Sequence, residues 1–330
     1  MKKILLFLIA LSLLLSCGCA SSLPAEVPTA EETKTETKEN TPAKKTEEAL
    51  LDVGEITPYL TNKSWDGKTL KVLSVGNSFA RNATKVLYQI AKQEGVEEIV
   101  LGNLHIGGCP ISRHYELSQS GAAEYAYYKN TTGTWEKTEN VAMMTALQDE
   151  EWDYITITST PGQEGDPKFY EGCLDGLIAF LRANKTNPEA KIAYHMTWAF
   201  PNASQSSVMK LHGNSRVNMF NAITDTTQNH IMTKYDLDFL IASGTAVENS
   251  RSSLGEVFTK DDGYHMNTYG EYVTGYMYFA AITGKPLTEL KFKPNYISDT
   301  SRVVIARAVN AALHYPFAAT DLRDQPILLK

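Results

Sequence analysis

The fold is decided by the stretch Lys71-Val72-Leu73-Ser74-Val75-Gly76-Asn77-Ser78-Phe79-Ala80. Its first half is an apolar, partly β-branched run, which predicts a strand that is covered on both faces. Gly76 and Asn77 tolerate unusual backbone angles and indicate a sharp turn. Apolar residues at helical spacing follow the turn, and Gly95 suits the C-cap of that helix. Ser78 is therefore predicted at the carboxyl end of a strand, where open α/β sheets place their ligands.

Ser78 has two interpretations, an ordinary helix N-cap and a nucleophile. As a nucleophile it would direct its hydroxyl into a cleft, with free N–H groups of the helix N-terminus available to a developing anion. The strand and the turn favour neither interpretation. A second stretch, Asp262-Gly263-Tyr264-His265, places an acid three residues before a histidine in a glycine-containing loop. It favours the nucleophile.

The composition is that of an ordinary globular protein. Of the 330 residues, 43% are hydrophobic and 21% are charged. The length is enough for one large domain or two small ones. The formal net charge of −7 argues against nucleic acid as the main partner. The histidines show no His-x-x-x-His or His-Glu-x-x-His spacing, so neither a metal site nor a cofactor is predicted.

Residues 1–19 predict a lipoprotein signal peptide. Two lysines precede an apolar core from Ile4 to Leu15, and small residues follow it. Leu14-Leu15-Ser16-Cys17 resembles the bacterial lipobox, which implies a diacylglyceryl thioether on Cys17, with Cys19 as the alternative. A plain secretory signal that is cleaved slightly later is the competing interpretation. The lipoprotein interpretation predicts an exported protein that is tethered to the membrane without spanning it.

Residues 20–51 are predicted to be a linker, and residues 52–330 one domain. The linker is a run of Thr, Glu, Lys and Ala, interrupted by prolines, and it has no apolar period with which to bury a core. Cys109 and Cys173 are the remaining cysteines. Two unpaired thiols are favoured, and a bridge between them stays open because sequence alone cannot show whether they meet.

Strands alternate with helices through the domain, which indicates a mostly parallel, five-stranded sheet with helices on both faces. No internal repeat and no second domain are predicted. Residues 115–140 predict a short helix and then a small hairpin or loop. The predicted strands are 70–75, 98–105, 152–158, 190–196 and 237–241. The predicted helices are 79–95, 141–149, 170–183, 206–235, 267–283 and 299–313.

Three stretches are expected together at one edge of this sheet: Ser78, Gly107-Gly108, and the loop with Asp262 and His265. A serine nucleophile needs a base within hydrogen-bond reach and a third group that orients the base. An aspartate three residues before a histidine can place its carboxylate against the ring nitrogen. The N–H groups of Ser78 and Gly108 are the candidate oxyanion donors, although a glycine pair alone is more simply a turn.

These stretches resemble the SGNH (GDSL-type) hydrolases from about residue 68 to residue 284. Gly76-Asn77-Ser78-Phe79 resembles the first block of that family, Gly107-Gly108 its glycine block, and Asp262-Gly263-Tyr264-His265 its Asp-x-x-His block. A Gly-Gly-Cys and a later Ser-Gly-Thr-Ala segment resemble a bacterial branch known as a domain of unknown function. The resemblance implies a three-layer, flavodoxin-like α/β/α sandwich.

The resemblance also implies the reaction. Ser78 would be the nucleophile of an ester hydrolase, His265 its general base and acid, and Asp262 the group that orients His265. Many exported relatives remove acetyl groups from polysaccharides, so a serine esterase acting on carbohydrate O-acetyl groups is expected. The alternatives are a weak or inactive SGNH-like lipoprotein that binds glycans, and a solute-binding lipoprotein. The latter class usually has two similar lobes, and no duplication is seen.

One block departs from the family pattern. The third block usually supplies an asparagine as an oxyanion donor, but here the strand is followed by Ser159-Thr160-Pro161-Gly162-Gln163. Ser159, Thr160 or Gln163 would substitute, or the hole would have two donors. Loss of one such donor costs roughly 100- to 1000-fold in rate.

Asn77, His195, Trp198 and Arg251 are the candidate substrate-binding residues. His195 and Trp198 follow a predicted strand to the same edge of the sheet, where an aromatic face would stack on a sugar ring. A partly buried pair at a strand end is the other interpretation. Arg251 would hold an anionic group, or else serve as a structural ion-pair partner.

Overall fold

The computed structural model describes residues 65–323. The predicted signal peptide with Cys17 and Cys19, the predicted linker, and residues 52–64 of the predicted domain lie outside the described residues. Among residues 65–323, no helix is long and apolar enough to cross a membrane.

The centre of the fold is a seven-stranded sheet with strand order β4-β3-β2-β1-β5-β6-β7. Five strands run parallel, and the last two on one side form an antiparallel hairpin that pairs with β2. The strands are β1 Thr69–Gly76, β2 Glu98–His105, β3 Tyr125–Asn130, β4 Glu136–Val141, β5 Tyr154–Thr158, β6 Lys191–His195 and β7 Phe239–Ile241.

The prediction of a mostly parallel α/β sheet is confirmed, and its count of five strands is corrected to seven. All five predicted strands are present as the parallel core. The added pair is the hairpin within 115–141, which joins the edge of the sheet and does not stand apart from it. Tyr125 and Tyr127 turn inward while β4 is exposed along most of its length, so the hairpin is held by backbone pairing and by one apolar face.

Helices cover both faces of the sheet, as predicted for a three-layer α/β/α sandwich. They are α1 Ser78–Ala83, α2 Leu87–Glu94, α3 Ile111–Ser120, α4 Met143–Gln148, α5 Pro161–Glu164, α6 Leu174–Asn184, α7 Val208–Leu211, α8 Arg216–Thr226, α9 Met232–Lys234, α10 Ser243–Leu254, α11 Thr268–Thr283 and α12 Asp299–His314. One layer contains α3, α4 and α6. The other contains α1, α2, α10, α11 and α12.

The predicted helix 79–95 is two helices, α1 and α2. The break is at Thr84, whose hydroxyl donates to Ala80 O at 2.9 Å and accepts from Asn103 Nδ2 at 2.8 Å. A threonine that bonds the backbone and a neighbouring strand in this way competes with helix continuation. The predicted C-cap at Gly95 is confirmed by its left-handed backbone. The predicted helix 206–235 is also interrupted, with Gly213 between α7 and α8.

The parallel strands place their carboxyl ends on one side of the sheet. The loops after β1, β2, β5 and β6 therefore meet there. Helix α10, which follows β7, packs its start against the segment after β6. A Cβ added to Gly244 would lie 2.0 Å from Thr197 O, so only glycine permits this close approach.

Candidate active site

Ser78, His265 and Asp262 form a continuous hydrogen-bonded line at the carboxyl side of the sheet. The hydroxyl of Ser78 lies 2.8 Å from Nε2 of His265, and Nδ1 of His265 lies 2.8 Å from Oδ2 of Asp262. The His265 and Asp262 side chains are 26% and 34% exposed, so solvent and a small ligand can reach them. Nucleophile, base and orienting acid are thus in hydrogen-bond reach of one another.

The loop that carries His265 is folded by its own aspartate. Oδ1 of Asp262 accepts from the N–H of Tyr264 at 3.0 Å and of His265 at 2.9 Å, which leaves Oδ2 for the imidazole. Lys260 N donates to His265 O at 2.8 Å and closes the loop. Gly263 allows the positive φ of 74° that this tight turn requires.

The same contacts keep the aspartate ionised. Partial burial acts to raise the pKa of Asp262, but the N–H groups of Tyr264 and His265, followed by the imidazole, outweigh it. The pKa of Asp262 is therefore lower than usual. An ionised acid against Nδ1 favours the tautomer in which that nitrogen carries the proton and Nε2 accepts from the serine.

Asn82 helps to bring the two halves of this arrangement together. This residue is buried in α1, one turn after Ser78, and its Oδ1 accepts from Met266 N at 3.2 Å. Met266 directly follows His265. Sequence reasoning missed Asn82, because an asparagine inside a helical pattern carries no signal of the distant backbone group that it binds.

Asn77 organises the turn before Ser78. Its Oδ1 caps α1 by accepting from Phe79 N at 2.9 Å, and its Nδ2 donates to Cys109 O at 3.3 Å and Ser159 O at 3.1 Å. The side chain is fully buried. This placement corrects the prediction of Asn77 as a substrate-binding residue, since its amide ties the loops after β2 and β5 to the turn.

The candidate oxyanion donors lie on these tied loops. Gly108 adopts a positive φ of 61°, and a Cβ added to Gly107 or Gly108 would meet no atom within 4 Å. The glycine turn therefore borders open space. Ser159 is fully buried, whereas Thr160 and Gln163 are partly exposed after β5. These two side chains have the accessibility that a ligand-facing donor needs.

The other three candidate substrate-binding residues lie in the interior. His195 is fully buried between Thr158 Oγ1 at 3.1 Å and Ser243 Oγ at 3.0 Å. Trp198 is fully buried as well, and its Nε1 donates to Tyr264 O at 2.8 Å. Their burial contradicts substrate binding and agrees with the other interpretation, a buried pair at a strand end. Trp198 instead supports the loop of His265 from below.

Arg251 is likewise structural. It is 4% exposed, its Nη1 donates to Ala199 O at 2.9 Å, and it forms ion pairs with Glu248 and Glu256 at 3.1 Å each. A buried guanidinium that is already ion-paired with two carboxylates is not accessible to a substrate anion. The prediction of a ligand-binding Arg251 is corrected on this ground.

Aromatic rings flank the imidazole on the β6 side. The ring of Tyr264 lies 4.5 Å from that of His265, and Phe200 lies 5.6 Å from Tyr264, measured between ring centroids. Tyr264 is partly exposed beside the reacting groups, and its ring also packs against the core. Tyr264 lies inside the Asp-x-x-His stretch, yet nothing in that spacing indicates which way its ring turns.

A buried acid lies behind the site, on the segment after β5. Glu164 is fully buried, and its carboxylate accepts from Thr197 N at 2.7 Å, from the Thr197 hydroxyl, and from Tyr194 OH at 3.3 Å. Burial raises the pKa of Glu164 to about 7, despite these donors. Glu164 thereby fastens α5 to the residues after β6. Sequence reasoning missed it because glutamate in a loop is usually exposed.

Cys109 and Cys173 are free and buried, as the sequence favoured. Burial raises the pKa of Cys109 to about 12, so its thiol is a poor nucleophile despite its place beside the glycine turn. Within residues 65–323, no group of three or more His, Cys, Asp or Glu side chains is arranged to hold a metal ion.

Fold and site together define an α/β/α protein with a serine, histidine and aspartate in line at the carboxyl ends of its parallel strands. Residues 71–313 match the family described as a domain of unknown function, DUF4886, and the chain belongs to that family. The comparison with curated proteins finds no match.

One solved structure of the same family supports the fold, and two more distant structures are also similar to parts of the chain. A DUF4886 family protein from Bacteroides uniformis is 30% identical with a TM-score of 0.73, and the match covers 77% of this chain and 98% of that one. A proposed SGNH hydrolase from Slackia heliotrinireducens is 16% identical with a TM-score of 0.44, covering 65% and 99%. A catalytic mutant of Axe2, an acetylxylan esterase from Geobacillus stearothermophilus, is 9% identical with a TM-score of 0.40, covering 67% and 96%.

Proposed function

We propose that this protein is a serine ester hydrolase that removes O-acetyl groups from carbohydrate outside the cytoplasm. The observation that carries the proposal is the line from the Ser78 hydroxyl through His265 to Asp262, with 2.8 Å at each step. That arrangement matches what nucleophilic acyl transfer requires: a serine beside a base whose tautomer is held by an acid.

The chemistry follows from the positions of the groups. His265 Nε2 takes the proton of Ser78 as Oγ attacks the ester carbonyl, and gives it to the sugar oxygen as the C–O bond breaks. The acetyl group is then bonded to Ser78. Water attacks this ester with His265 as base, and acetate leaves as Ser78 recovers its proton. The N–H groups of Ser78 and Gly108 are the proposed donors to the anion formed in each step.

The choice of a sugar ester rests on the surroundings of the triad. The partly exposed ring of Tyr264 beside His265 offers a flat face, which suits a sugar ring. The resemblance of the three sequence blocks to SGNH hydrolases, many of which deacetylate polysaccharides, favours the acetyl group.

The test is hydrolysis of p-nitrophenyl acetate by a protein lacking residues 1–19, beside its Ser78→Ala variant. We expect turnover by the parent and a loss of several orders of magnitude in Ser78→Ala. Ser120→Ala, a change at an exposed serine on α3, is the matched control and should retain activity. Equal rates in the parent and in Ser78→Ala would overturn the proposed enzyme.

One observation favours a second candidate, a glycan-binding protein with little or no turnover. No asparagine follows β5, where SGNH hydrolases usually carry a third oxyanion donor. If the parent is inactive, calorimetric titration with acetylated oligosaccharides tests for binding. Heat of binding would support the glycan-binding protein, and its absence would count against this candidate.

The proposed location rests on residues 1–19 alone. We expect lipid on Cys17, with Cys19 as the alternative. Mass spectrometry of the mature N-terminal peptide from membranes, with Cys17→Ala and Cys19→Ala in parallel, identifies the modified residue. A mature protein without lipid would leave the plain secretory signal as the better interpretation.

A further inference from the structure

The hairpin of β3 and β4 forms a fixed wall beside the helix that begins at Ser78. Trp135 Nε1, just before β4, donates to Lys85 O at 3.3 Å, just after α1. Gln89 Nε2, on α2, donates to Gly133 O in the hairpin turn at 3.2 Å. These bonds join the hairpin turn to the helices, so the wall lies beside α1.

Arg81 lies between this wall and the serine. Ser78 and Arg81 are three positions apart in α1 and are both partly exposed, whereas Phe79, Ala80 and Asn82 are buried. Side chains at that spacing lie on one helix face, with Cβ atoms about 5 to 6 Å apart. The backbone of Arg81 therefore lies within one helical turn of the candidate nucleophile.

Tyr128 of β3 holds the guanidinium in place. The Arg81 Cζ atom lies 3.7 Å from the centroid of the Tyr128 ring, which is the geometry of a cation–π contact. Stacking uses the flat face of the guanidinium and leaves the N–H groups on its edge available. Across residues 65–323, the structure pairs Arg81 with no carboxylate.

The neighbouring charges leave a positive site. Lys137 of β4 lies 5.7 Å from the Tyr128 ring centroid, but it is paired with Glu139. His105, edge-on to Tyr128, is held neutral: burial, and then the charges of Arg81 and Lys137, lower its pKa to about 4, although Glu139 opposes them. Arg81, on α1 beside this wall, therefore has a positive charge that no carboxylate of residues 65–323 neutralises, although the net charge of the chain is −7.

The glycine turn after β2 lies next to the Ser78 turn and borders open space. His105 at the end of β2 is in register with Gly76, and Ile106 N donates to Gly76 O at 3.3 Å, next to the Ser78 turn. The glycines that follow, Gly107 and Gly108, have no atom within 4 Å of where a Cβ would be. A ligand over this turn would lie beside Ser78, and His105, which leads into the turn, contacts the Tyr128 ring that stacks on Arg81.

We propose that Arg81 binds a carboxylate carried by the substrate ester. The inference rests on the proposed esterase function and names its substrate class: an ester that also carries an anionic group. A guanidinium fixed by stacking presents a planar fork of N–H donors, and a carboxylate matches it with two parallel hydrogen bonds. The carboxylate can belong to the sugar, as in an acetylated uronic acid, or to the acyl group.

The experiment compares matched esters that differ in one charge. An O-acetylated galacturonic acid methyl glycoside is paired with its neutral methyl ester, and p-nitrophenyl hemisuccinate with its methyl ester; p-nitrophenyl acetate is the reference. We expect kcat/KM of the parent to favour the charged member of one pair about tenfold, given the partial exposure of the arginine. The preference should fall as salt is raised.

Arg81→Gln should abolish this preference, and Arg81→Lys should restore only part of it because an ammonium cannot present the fork. Lys92→Gln, which removes an exposed charge on α2, is the control and should leave both the preference and the reference rate unchanged. The favoured pair assigns the carboxylate to the sugar or to the acyl group.

Two results would overturn the inference while the proposed function stands: hydrolysis of p-nitrophenyl acetate with no preference in either pair, or a preference that survives in Arg81→Gln. A parent that hydrolyses none of the esters overturns the proposed function, and the inference falls with it.

Discussion

Two carboxylates, Asp262 and Glu164, show what environment does to the same functional group. Asp262 is partly exposed, accepts two backbone N–H groups and faces an imidazole, and its pKa is lowered. Glu164 is fully buried and has three donors but no cation beside it, and burial raises its pKa to about 7. Hydrogen bonds alone do not offset the loss of water around a buried charge.

The difference in pKa separates an acid with a proposed catalytic role from one with a structural role. Asp262 remains an anion at neutral pH and can hold the tautomer of His265 through a catalytic cycle. Glu164 instead fastens α5 to the segment after β6, in a form that is easily protonated. Three substitutions test this division, from the largest expected effect to the smallest.

Asp262→Asn should have the largest effect, on activity. The amide would present an N–H to His265 or favour the wrong tautomer, so kcat should fall roughly 100- to 10,000-fold while folding is retained. Steady-state kinetics with p-nitrophenyl acetate measures it. Asp261→Asn, at the exposed neighbouring residue, should change kcat less than twofold, on the order expected of a surface change. Equal kcat in parent and Asp262→Asn would remove the aspartate from the proposed mechanism.

Glu164→Gln should alter the pH dependence of stability. A carboxyl whose folded pKa is raised from 4.5 to about 7 stabilises the fold fully below pH 4.5, and this contribution is lost as pH rises through 7. Relative to the neutral variant, the parent should therefore lose about 2 to 3 kcal/mol between pH 5 and pH 8. Urea unfolding of both proteins at the two pH values measures the difference.

Glu151→Gln, a change at an exposed residue, is the control for Glu164→Gln and should follow the parent at both pH values. If the difference in unfolding free energy between the parent and Glu164→Gln stays constant from pH 5 to pH 8, the carboxyl does not titrate in this range. The contrast between the two acids would then be lost.

Asn77→Ala should have the smallest of the three effects. The Asn77 side chain connects the Ser78 turn to the loops after β2 and β5. The change leaves Phe79 N and the carbonyls of Cys109 and Ser159 without their partner, which should cost about 1 to 3 kcal/mol. Activity should fall as well, because the glycine turn is no longer tied to Ser78. Asn221→Ala, on the exposed face of α8, is the comparison in both assays. Unchanged stability would show that the loops hold without this amide.

Local and periodic features could be predicted from the sequence. The apolar run before Gly76 predicted β1, and helical spacing predicted the buried face of α6, all of whose inner leucines and isoleucine lie in the core. The motif Asp-x-x-His predicted an acid against an imidazole because both groups lie within one short loop. That prediction concerned contacts within a few residues, where the backbone leaves few choices.

Features that depend on distant partners could not be predicted. Residues 125–141 are rich in tyrosine and charge, and only pairing with β2 makes them strands of the main sheet. Arg251 and His195 are of ligand-binding residue types, and nothing near them in sequence reveals the partners that bury them, such as Glu256 and Ser243. The wall beside Arg81 was invisible for the same reason, since Tyr128 reaches α1 from another layer.

The two edge strands of the sheet have a consequence for the association of copies of this chain. One edge is β4, which carries Glu136, Lys137 and Glu139 and is exposed except at Val141, and the other is β7, which is only three residues long. Edge-to-edge pairing of strands from different molecules needs a long, flat edge strand without charges, and neither edge strand meets this condition. The hairpin that builds the wall beside Ser78 therefore also protects the fold from fibrous self-association.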